Sequence, residues 1–308
     1  MQTKIVVVGS INTDLVIQVH EFPKSGETTR GIDHHVLRGG KGANQAVAAA
    51  RLEGEVVFYG RVGDDAYGRE AMAALELEGI DIKGVGIDSD KLTGLAQVMV
   101  NDRGENMIAV SSGANERLGV EAISGIEKDL EGAGILLLQL ETPLESARWA
   151  MKKMKACSGI VILNPAPVCQ LPDGVFELVD VMTPNETEAH LLTGIRVVDD
   201  ESANQAANVL HGKGVGTVII TLGGRGCYLS CDGFSGRISA NRALVVDTTA
   251  AGDTFNGALA VALCAGRPMK DAVRFANAAA ALSVEKRGAQ SSMPRRTEVD
   301  RMVISSRI

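Results

Sequence analysis

Short runs of aliphatic residues alternate with alanine-rich segments of helical periodicity along most of the chain. The apolar runs are continuous and do not alternate with polar residues, which is typical of strands that are buried on both faces. They cover residues 4–8, 56–59, 135–140, 160–163, 179–182 and 217–221, and the first helical patterns begin at residue 43 and cover residues 68–78. The pattern predicts an α/β fold, a three-layer sandwich with a central, mainly parallel sheet.

Two parts of the chain depart from this rhythm and predict antiparallel strands. Residues 15–19 pair with residues 28–38 in one part, and residues 94–100 turn through 101–104 to pair with 106–110 in the other. We expect a small β lid, formed by about residues 12–38 and 94–111, that closes over a site and excludes water. The alternative is an exposed hairpin that decorates the sheet. No repeat or long linker interrupts residues 1–308, which are predicted to form a single α/β domain with this lid.

Length, charge and cysteine content narrow the class of protein. A chain of 308 residues with 45% hydrophobic residues can bury a large core. The formal net charge of −7, with scattered basic residues, argues against a nucleic-acid partner. The apolar run at residues 5–8 is too short for a secretory signal, and no run has the length of a membrane span. The five cysteines include no C-x-x-C pair, so we expect reduced thiols in a cytoplasmic protein without a membrane partner.

Asp253 follows the small residues Ala250, Ala251 and Gly252 at the start of an apolar helical pattern. The first turn of a helix has N–H groups without partners and the positive end of the helix dipole, and small side chains let an anion approach them. A phosphoryl group would fit there, and Asp253 could accept a proton from an attacking hydroxyl beside it. The alternative is that Asp253 only caps the helix and the small residues only allow close packing.

Residues 38–52 form a second glycine-rich segment, which leads into an alanine-rich helix. The G-x-x-x-x-G-K-[ST] spacing of a P-loop occurs nowhere in the chain, so a nucleotide site of that kind is excluded. The glycines would let main-chain amides approach a polar ligand, and Lys41 and Asn44 offer side-chain donors. The alternative is a strand-to-helix turn with a solvated lysine.

Polar residues follow several of the predicted strands closely, as expected of a site beyond the carboxyl ends of a parallel sheet. They are Asn12, Asp14, Glu141, Asn164, Asn185 and Thr221. Asp14 could instead cap a turn, and Glu141 could be a strand-end carboxylate in water. If neither alternative holds, these side chains gather at one edge of the sheet.

Two segments resemble the paired motifs of the ribokinase family of sugar kinases, also called the PfkB family. They are Gly-Gly-Lys-Gly-Ala-Asn at residues 39–44 and Asp-Thr-Thr-Ala-Ala-Gly-Asp at residues 247–253. Further segments that resemble this family, in the family's order, are residues 8–14, 23–27, 139–141, 164–167, 183–188, 221–226 and 286–290. The resemblance covers the whole chain. It implies a ribokinase-like fold and a phosphotransferase that uses MgATP and an alcohol group as acceptor.

The resemblance implies phosphorylation of D-ribose at O5, which gives D-ribose 5-phosphate and ADP in the first step of ribose catabolism. Asp253 matches the catalytic base of the family, and the amides of Ala250, Ala251 and Gly252 match its anion-binding turn. The commoner family form has glycine at position 250, so the question is whether alanine has the same conformational freedom there. The sugar-binding positions that the resemblance implies, besides Asp253, are Asn12, Asp14, Gly40, Lys41, Asn44 and Glu141.

On the nucleotide side, Asn185 and Glu188 match a family element that arranges magnesium near the phosphates. Mg²⁺ keeps several waters and needs few carboxylates, so this pair suffices chemically. The alternative is a helix N-terminus with a capping asparagine. The remaining ATP-binding positions that the resemblance implies are Thr221, Gly223, Gly224, Gly226, Gly252 and Asn277.

The family also holds a monovalent cation beside the anion-binding turn, which implies activation by K⁺. The matching positions, several of them acting through main-chain carbonyls, are Asp247, Thr249, Ser283, Lys286, Gly288 and Ser292. Members of the family often associate through the lid, so the resemblance also implies a homodimer.

Other classes of protein fit these residues less well. A sugar-responsive binding protein that has lost catalysis is opposed by the intact Asn185, Glu188, Gly252 and Asp253. A dinucleotide-dependent oxidoreductase would need G-x-G-x-x-G directly after a strand, and the sequence has none so placed. Among kinases the alternatives are a 2-deoxyribokinase, then nucleoside, fructose or 2-keto-3-deoxygluconate kinases. Residues 12–14 and the few aromatic residues in the lid segments favour a small polar pentose.

Overall fold

The computed structural model describes residues 4–305, whose strands form two sheets. In chain order the strands are β1 (Lys4–Val8), β2 (Asn12–Val19), β3 (Gly31–Gly39), β4 (Glu55–Gly63), β5 (Asp81–Asp88), β6 (Gly94–Val100), β7 (Asn106–Ser111), β8 (Ala133–Leu138), β9 (Ile160–Leu163), β10 (Val181–Met182), β11 (Thr217–Thr221), β12 (Cys227–Cys231) and β13 (Phe234–Ile238). The helices are α1 (Lys41–Arg51), α2 (Ala66–Leu77), α3 (Glu127–Leu130), α4 (Leu144–Ala156), α5 (Asp173–Phe176), α6 (Glu186–Thr193), α7 (Asp200–Gly212), α8 (Ala251–Cys264), α9 (Met269–Ser283) and α10 (Arg296–Ser305). Within residues 4–305 no helix is both long and apolar enough to cross a membrane.

The large sheet has the strand order β13-β12-β11-β10-β9-β8-β1-β4-β5 in the described part of the chain. Neighbouring strands from β11 to β5 pair in parallel, whereas β12 and β13 are added antiparallel at one edge. The chain first moves from β1 to β4 and β5, and later returns to place β8 on the other side of β1. The loops after β1 and β8 therefore leave the sheet in opposite directions and open a crevice between them, which is where ligands bind in such sheets.

Two hydrophobic cores lie on opposite faces of this sheet. On β1, Ile5 and Val7 belong to the core that includes α1, α8 and α9, and Val6 and Val8 belong to the core that includes α4 and α7. All four side chains are fully buried. This arrangement confirms the predicted three-layer α/β sandwich with a mainly parallel sheet.

The predicted strands and the observed strands differ mainly at the edges of the sheet. β1, β9 and β11 have the predicted bounds, whereas the sequence pattern did not predict β5, β12 or β13. β5 is an edge strand in which apolar residues are mixed with Asp, Lys and Gly, and most of it is partly exposed. Without a second buried face, such a strand has no continuous apolar run to detect.

The small sheet has the order β3-β2-β6-β7, and it confirms the expectation of a separate β element. Both predicted antiparallel pairs are present, β2 with β3 and β6 with β7. The prediction that a strand begins at residue 28 is wrong, because β3 begins at Gly31. Parallel pairing of β2 with β6 joins the two halves. These two strands lie far apart in the chain, so no local pattern could predict their contact.

The helices α1 and α8 pack closely, although their first residues are about 210 positions apart in the sequence. Gly257 makes this approach possible. A Cβ at this position would lie 2.6 Å from the carbonyl oxygen of Gln45 and 2.7 Å from Cβ of Ala48. The contact brings the N-terminal ends of both helices together, since Asn44 and Gln45 of α1 reach Asp253 in the first turn of α8.

Candidate active site

Asp253 lies in the first turn of α8 and is only 7% exposed. Oδ2 of Asp253 accepts a hydrogen bond from Nδ2 of Asn44 at 3.0 Å, and Oδ1 accepts one from Nε2 of Gln45 at 3.0 Å. The residue that caps the helix is Ala250, and no side chain caps it. The alternative that Asp253 serves only as a helix cap is therefore wrong.

Burial raises the pKa of Asp253, while the Lys41 ammonium and the hydrogen bonds from Asn44 and Gln45 oppose that shift. A carboxylate with a raised pKa is a stronger base than one in water. Because general bases work best when their pKa lies near the working pH, this environment suits proton abstraction from a hydroxyl.

The first turn of α8 is open to a ligand on one side. Ala250 has φ of 58°, in the left-handed region, so alanine takes the conformation for which the family more often has glycine. A Cβ on Gly252 would meet no atom within 4 Å. The N–H of Ala251 donates to the carbonyl of Thr248 at 3.3 Å. The N–H groups that follow have no carbonyl four residues earlier in the helix, so they can face an anion.

A half-buried lysine lies among four carboxylates at the end of the crevice. The carboxylates of Asp253, Glu141, Glu188 and Asp14 raise the pKa of Lys41 against the opposing effect of its burial. The ammonium of Lys41 is therefore held in its charged form. It is the central positive charge of this site in the described part of the chain.

Glu141, which follows β8, is held from two directions. Its Oε2 accepts a hydrogen bond from Oγ of Ser10 at 2.5 Å and one from the main-chain N–H of Lys41 at 3.0 Å. The alternative of a strand-end carboxylate in water is thus wrong for Glu141. Burial and the nearby carboxylates of Glu141 and Asp253 raise the pKa of Asp14 to about 6. Asp14 packs against Gly39, where a Cβ would lie 2.4 Å from Oδ2 of Asp14.

Asn12 begins β2, and Gly40, between β3 and α1, packs against the segment that joins β1 to β2. Oδ1 of Asn12 accepts a hydrogen bond from Nδ2 of Asn115 at 2.8 Å, and Asn115 also holds both the N–H and the carbonyl of Ile11. Gly40 has φ of 87°, and a Cβ there would lie 2.7 Å from the Asn12 nitrogen. This position therefore needs glycine.

A cavity of about 560 Å³ lies between the small sheet and the strand ends. Its walls include Asn12 and Glu141 from the crevice and Val110 from β7. Three buried side-chain oxygens have no hydrogen-bond partner within residues 4–305: Oγ1 of Thr142, which lines this cavity, Oδ1 of Asn44, whose amide nitrogen donates to Asp253, and Oε1 of Gln139. Buried polar atoms without partners are rare, so such atoms beside a cavity indicate a site for a polar ligand.

The predicted nucleotide-binding residues form a second group. Asn185 and Glu188 make a capping box at the start of α6, with Glu188 donating its N–H to Asn185 and accepting the N–H of Asn185, each at 2.8 Å. The capping role that the sequence left open is therefore present. Asn185 also forms a β-bridge with Thr221, which brings two of the predicted residues together.

The glycines after β11 form a tight turn. Gly223 has φ of 55° and Gly226 has φ of 89°, and a Cβ on Gly226 would lie 2.2 Å from the carbonyl oxygen of Ile238. Gly224 has open space where a Cβ would lie. Asn277 is fixed nearby, because its Nδ2 donates to the carbonyls of Ile238 at 3.4 Å and Ser239 at 3.3 Å.

Asp247 ties together two of the segments predicted to hold a monovalent cation. Its Oδ1 accepts from the N–H and hydroxyl of Thr249 at 2.9 and 2.7 Å, and its Oδ2 accepts from the N–H of Gly288 at 2.8 Å. Burial alone would raise the pKa of Asp247, but these hydrogen bonds outweigh it and lower the pKa.

The other side chains predicted for the cation point elsewhere. The hydroxyls of Ser283 and Ser292 donate to the carbonyls of Ala280 and Ala289, at 2.9 and 2.8 Å. The ammonium of Lys286 pairs with Glu298 at 3.0 Å. Lys286 could therefore contribute to a cation only through its main-chain carbonyl, whereas the two serine hydroxyls use their protons in these bonds and keep oxygen lone pairs.

Sequence reasoning missed three residues that support the site: Gln45, Asn115 and Asn256. Gln45 and Asn256 are polar residues in otherwise apolar, alanine-rich helices, and both are buried to 1% exposure or less. That isolation is a weak signal of a buried hydrogen-bonded group. Asn115 lies in a short 3-10 turn with no such signal.

Comparison with known proteins gives this geometry a family. A profile of the pfkB family carbohydrate kinases matches residues 2–296. The ribokinase of Haemophilus influenzae is 46% identical over 298 residues, covering 97% of each chain. The ribokinase of Schizosaccharomyces pombe is 39% identical over 308 residues, covering 96% of each chain. The structure of Arabidopsis thaliana ribokinase with ribose and ATP superimposes with a TM-score of 0.93 at 37% identity, covering 98% of this chain and 99% of that one.

In each comparison the match extends over nearly the full length of both proteins. The sequence identities are well above the level at which only the fold is shared. They also agree with a site in which a buried carboxylate lies at the first turn of a helix beside a polar cavity. The chain therefore belongs to the pfkB family of carbohydrate kinases.

Proposed function

We propose that this protein transfers the γ-phosphoryl group of ATP to O5 of D-ribose and releases D-ribose 5-phosphate and ADP. The observation that carries the proposal is the Asp253 carboxylate, buried at the first turn of α8 and held by two amide donors. The relatives with 46% and 39% identity are ribokinases, and the Arabidopsis enzyme was solved with ribose and ATP.

In this mechanism Asp253 accepts the proton of the O5 hydroxyl as that oxygen attacks the γ-phosphorus. The bond between O5 and phosphorus forms while the bond from phosphorus to the β-γ bridging oxygen breaks, and the electron pair leaves with ADP. Charge develops on the transferring oxygens, where the N–H groups of Gly252 and its neighbours in the first turn of α8 stabilise it. The Lys41 ammonium lies close enough to the carboxylates of the site to offset part of their negative charge. These carboxylates are Asp253, Glu141, Glu188 and Asp14.

The sugar would lie in the cavity between Asp14 and Glu141. Carboxylates and amides recognise hydroxyls well. A ligand that lacks the hydroxyl leaves a buried acceptor unpaired, which costs binding free energy. The unpartnered Oδ1 of Asn44 is such an acceptor. With Nδ2 of the same residue on Asp253, Asn44 would place a hydroxyl directly beside the base.

ATP enters the reactions of this family with a divalent cation such as Mg²⁺. Within residues 4–305 no three acidic, histidine or cysteine side chains gather to hold a metal by themselves, which suits an ion that keeps its waters and phosphate oxygens. Glu188 has one carboxylate oxygen left after the capping box, so the residues fit this ion. When bound, the ion would neutralise phosphate charge, and Asn185 and Glu188 would hold its waters in place.

We also propose a nucleotide site beside these residues. It is formed by Thr221, the glycines at 223, 224 and 226, and Asn277.

We further propose a K⁺ site behind the first turn of α8. Asp247 joins the segment before α8 to the loop at Gly288. Main-chain carbonyls of both segments would then bind a large, weakly hydrated cation. The ion would fix the left-handed turn at Ala250, and so the N–H groups that follow it.

The small sheet is proposed to act as a lid on a single α/β domain of residues 1–308, and as a dimer contact. By strand register, Asp14 shares a face with Val110, which lines the cavity, while Ile17, Val36 and Met107 lie on the other face. These three apolar side chains are 37%, 54% and 49% exposed. Exposed apolar groups on one face mark a contact surface.

Cytoplasm is the proposed location of the protein, where ATP is available.

The substrate assignment predicts that D-ribose gives the highest kcat/KM with MgATP among pentoses, hexoses and nucleosides. Coupled ADP release, with the product position determined by NMR, measures it. The cavity of about 560 Å³ does not by itself reject a sugar that lacks one hydroxyl, so 2-deoxyribose is the critical comparison. A higher kcat/KM for 2-deoxyribose, fructose or adenosine would show that the substrate is another one.

Asp253→Asn is expected to lower kcat by about 10²-fold or more, because a positioned base contributes ~10²–10⁴. The amide keeps the size of the side chain, so ribose affinity measured by calorimetry should change little. Asp271→Asn, on an exposed ion pair with Arg274, is the matched control. Turnover of Asp253→Asn equal to that of the control would remove Asp253 from the mechanism.

K⁺ should activate the enzyme and Na⁺ should do so poorly. Asp247→Ala is expected to raise the K⁺ concentration for half-maximal rate by about 10-fold or more, since hydrogen bonds to charged groups contribute about 1.5–3 kcal/mol. Ribose affinity should change less. Rates are measured in tetramethylammonium buffer with added KCl or NaCl, and equal rates with and without K⁺ would refute the cation site.

Val36→Asp should convert a dimer into monomers, because it places a charge within the proposed apolar contact. Leu191→Asp, at an apolar side chain that is 62% exposed elsewhere, is the matched control and should stay dimeric. Sedimentation velocity at micromolar concentration measures the mass. A wild-type protein that sediments as a monomer rules out the dimer.

A further inference from the structure

A chain of buried amide side chains lies beneath the Asp253 carboxylate. Gln139, directly after β8, donates from Nε2 to Oε1 of Gln45 at 2.6 Å. Gln45, near the start of α1, donates from Nε2 to Oδ1 of Asp253 at 3.0 Å and to Oδ1 of Asn164 at 3.1 Å. Gln45 and Gln139 are 0% and 1% exposed. At that depth bulk solvent does not compete for these hydrogen bonds, so the amides alone decide how the carboxylate is held.

One main-chain carbonyl fixes the direction of this chain. Nδ2 of Asn164 donates to the carbonyl of Thr183 at 3.1 Å, and a carbonyl can only accept. Asn164 must therefore present Oδ1 to Gln45, and Gln45 must present Nε2 in return. Both N–H groups of Gln45 are then committed, one to Asn164 and one to Asp253. If the amide group of Gln45 were turned by half a rotation, its Oε1 would face Oδ1 of Asn164 and Oδ1 of Asp253.

The same threonine supports the first turn of α8. Oγ1 of Thr183 donates to Oδ1 of Asn256 at 2.7 Å, and Nδ2 of Asn256 donates to the carbonyl of Gly252 at 2.8 Å. Thr183 follows β10 directly. One residue at the end of a central strand is thus joined through Asn164 and Gln45 to the base, and through Asn256 to the anion-binding turn. The two halves of the reaction site therefore share a fixed reference point in the sheet.

We propose that Gln45 is a positioning residue for phosphoryl transfer, which sets the rotation of the Asp253 carboxylate through an amide whose own direction is dictated by Asn164 and Thr183. Asn44 holds the other carboxylate oxygen from the same helix, so a carboxylate with both donors cannot turn about its terminal bond. With Gln45 removed, one oxygen is released and the carboxylate can rotate away from the attacking hydroxyl. This inference rests on the proposed role of Asp253 as the base.

Gln45→Met keeps the length of the side chain and removes its donors. We expect kcat to fall about 10–100-fold, since a small misplacement of a reacting group can cost 10²-fold. The KM for ribose should stay within about 3-fold, because Gln45 is not placed in the sugar cavity. The acid limb of kcat/KM should move to higher pH, because a hydrogen bond that lowers the pKa of Asp253 is lost.

Gln45→Glu is the second variant and does not depend on tolerance of an apolar group. The introduced carboxyl can donate to Asp253 only while it is protonated, and it repels Asp253 once it ionises. Activity of this variant should therefore fall as pH rises, whereas wild-type activity rises as Asp253 loses its proton. A change in stability alone does not reverse the direction of a pH profile.

Tyr59→Phe is the matched control. It removes another buried hydrogen bond, which the Tyr59 hydroxyl donates to Oδ2 of Asp129 at 2.7 Å. This bond lies outside the chain of amides. The control variant should leave kcat and the pH profile unchanged. Wild-type kcat and pH profiles in both Gln45 variants would overturn the inference. Failure of the proposed function would appear differently, as a wild-type protein that does not phosphorylate ribose or an Asp253→Asn variant with undiminished turnover.

Discussion

The candidate site depends on holding one buried carboxylate in a fixed orientation. Asp253 is almost completely removed from water, a position in which a carboxyl group tends to hold its proton. Two amide donors and the Lys41 ammonium favour the charged form, while Glu141 disfavours it. The pKa is raised, so the donors moderate the effect of burial without cancelling it. This balance gives a base that is stronger than an exposed aspartate and still has a fixed direction.

Helix α1 links this balance to the rest of the site. Its first N–H holds Glu141, its first side chain supplies the ammonium, and Asn44 and Gln45 hold the base. The helix can do this only because α8 approaches it closely at Gly257. A methyl group there would push the helices apart and lengthen both hydrogen bonds to Asp253. The glycine in the middle of α8 therefore supports the proposed catalytic geometry, although it lies a full turn away from Asp253.

The sequence predicted those parts of the structure that local chemistry determines. Continuous apolar runs predicted the central strands, and the small residues before Asp253 predicted the start of α8, because both signals lie within a few residues. Anion binding at this turn stays a prediction. The edge strand β5 and the parallel contact between β2 and β6 depend on partners elsewhere in the chain, so no local pattern contained them. Gln45 was not predicted to support the site for the same reason, because its hydrogen-bond partners Gln139 and Asn164 are 94 and 119 positions away in the sequence.

Ala250 shows how a local cost is offset within the same site. A left-handed residue other than glycine costs about 1–2 kcal/mol, yet alanine holds φ of 58° here. Its carbonyl accepts both the N–H of Thr254, at 2.8 Å, and the hydroxyl of Thr254, at 3.0 Å. These two bonds hold the Ala250 carbonyl within the first turn of α8. The turn is thereby fixed by contacts within the chain, so in the proposed reaction it would not have to be ordered when a phosphate binds.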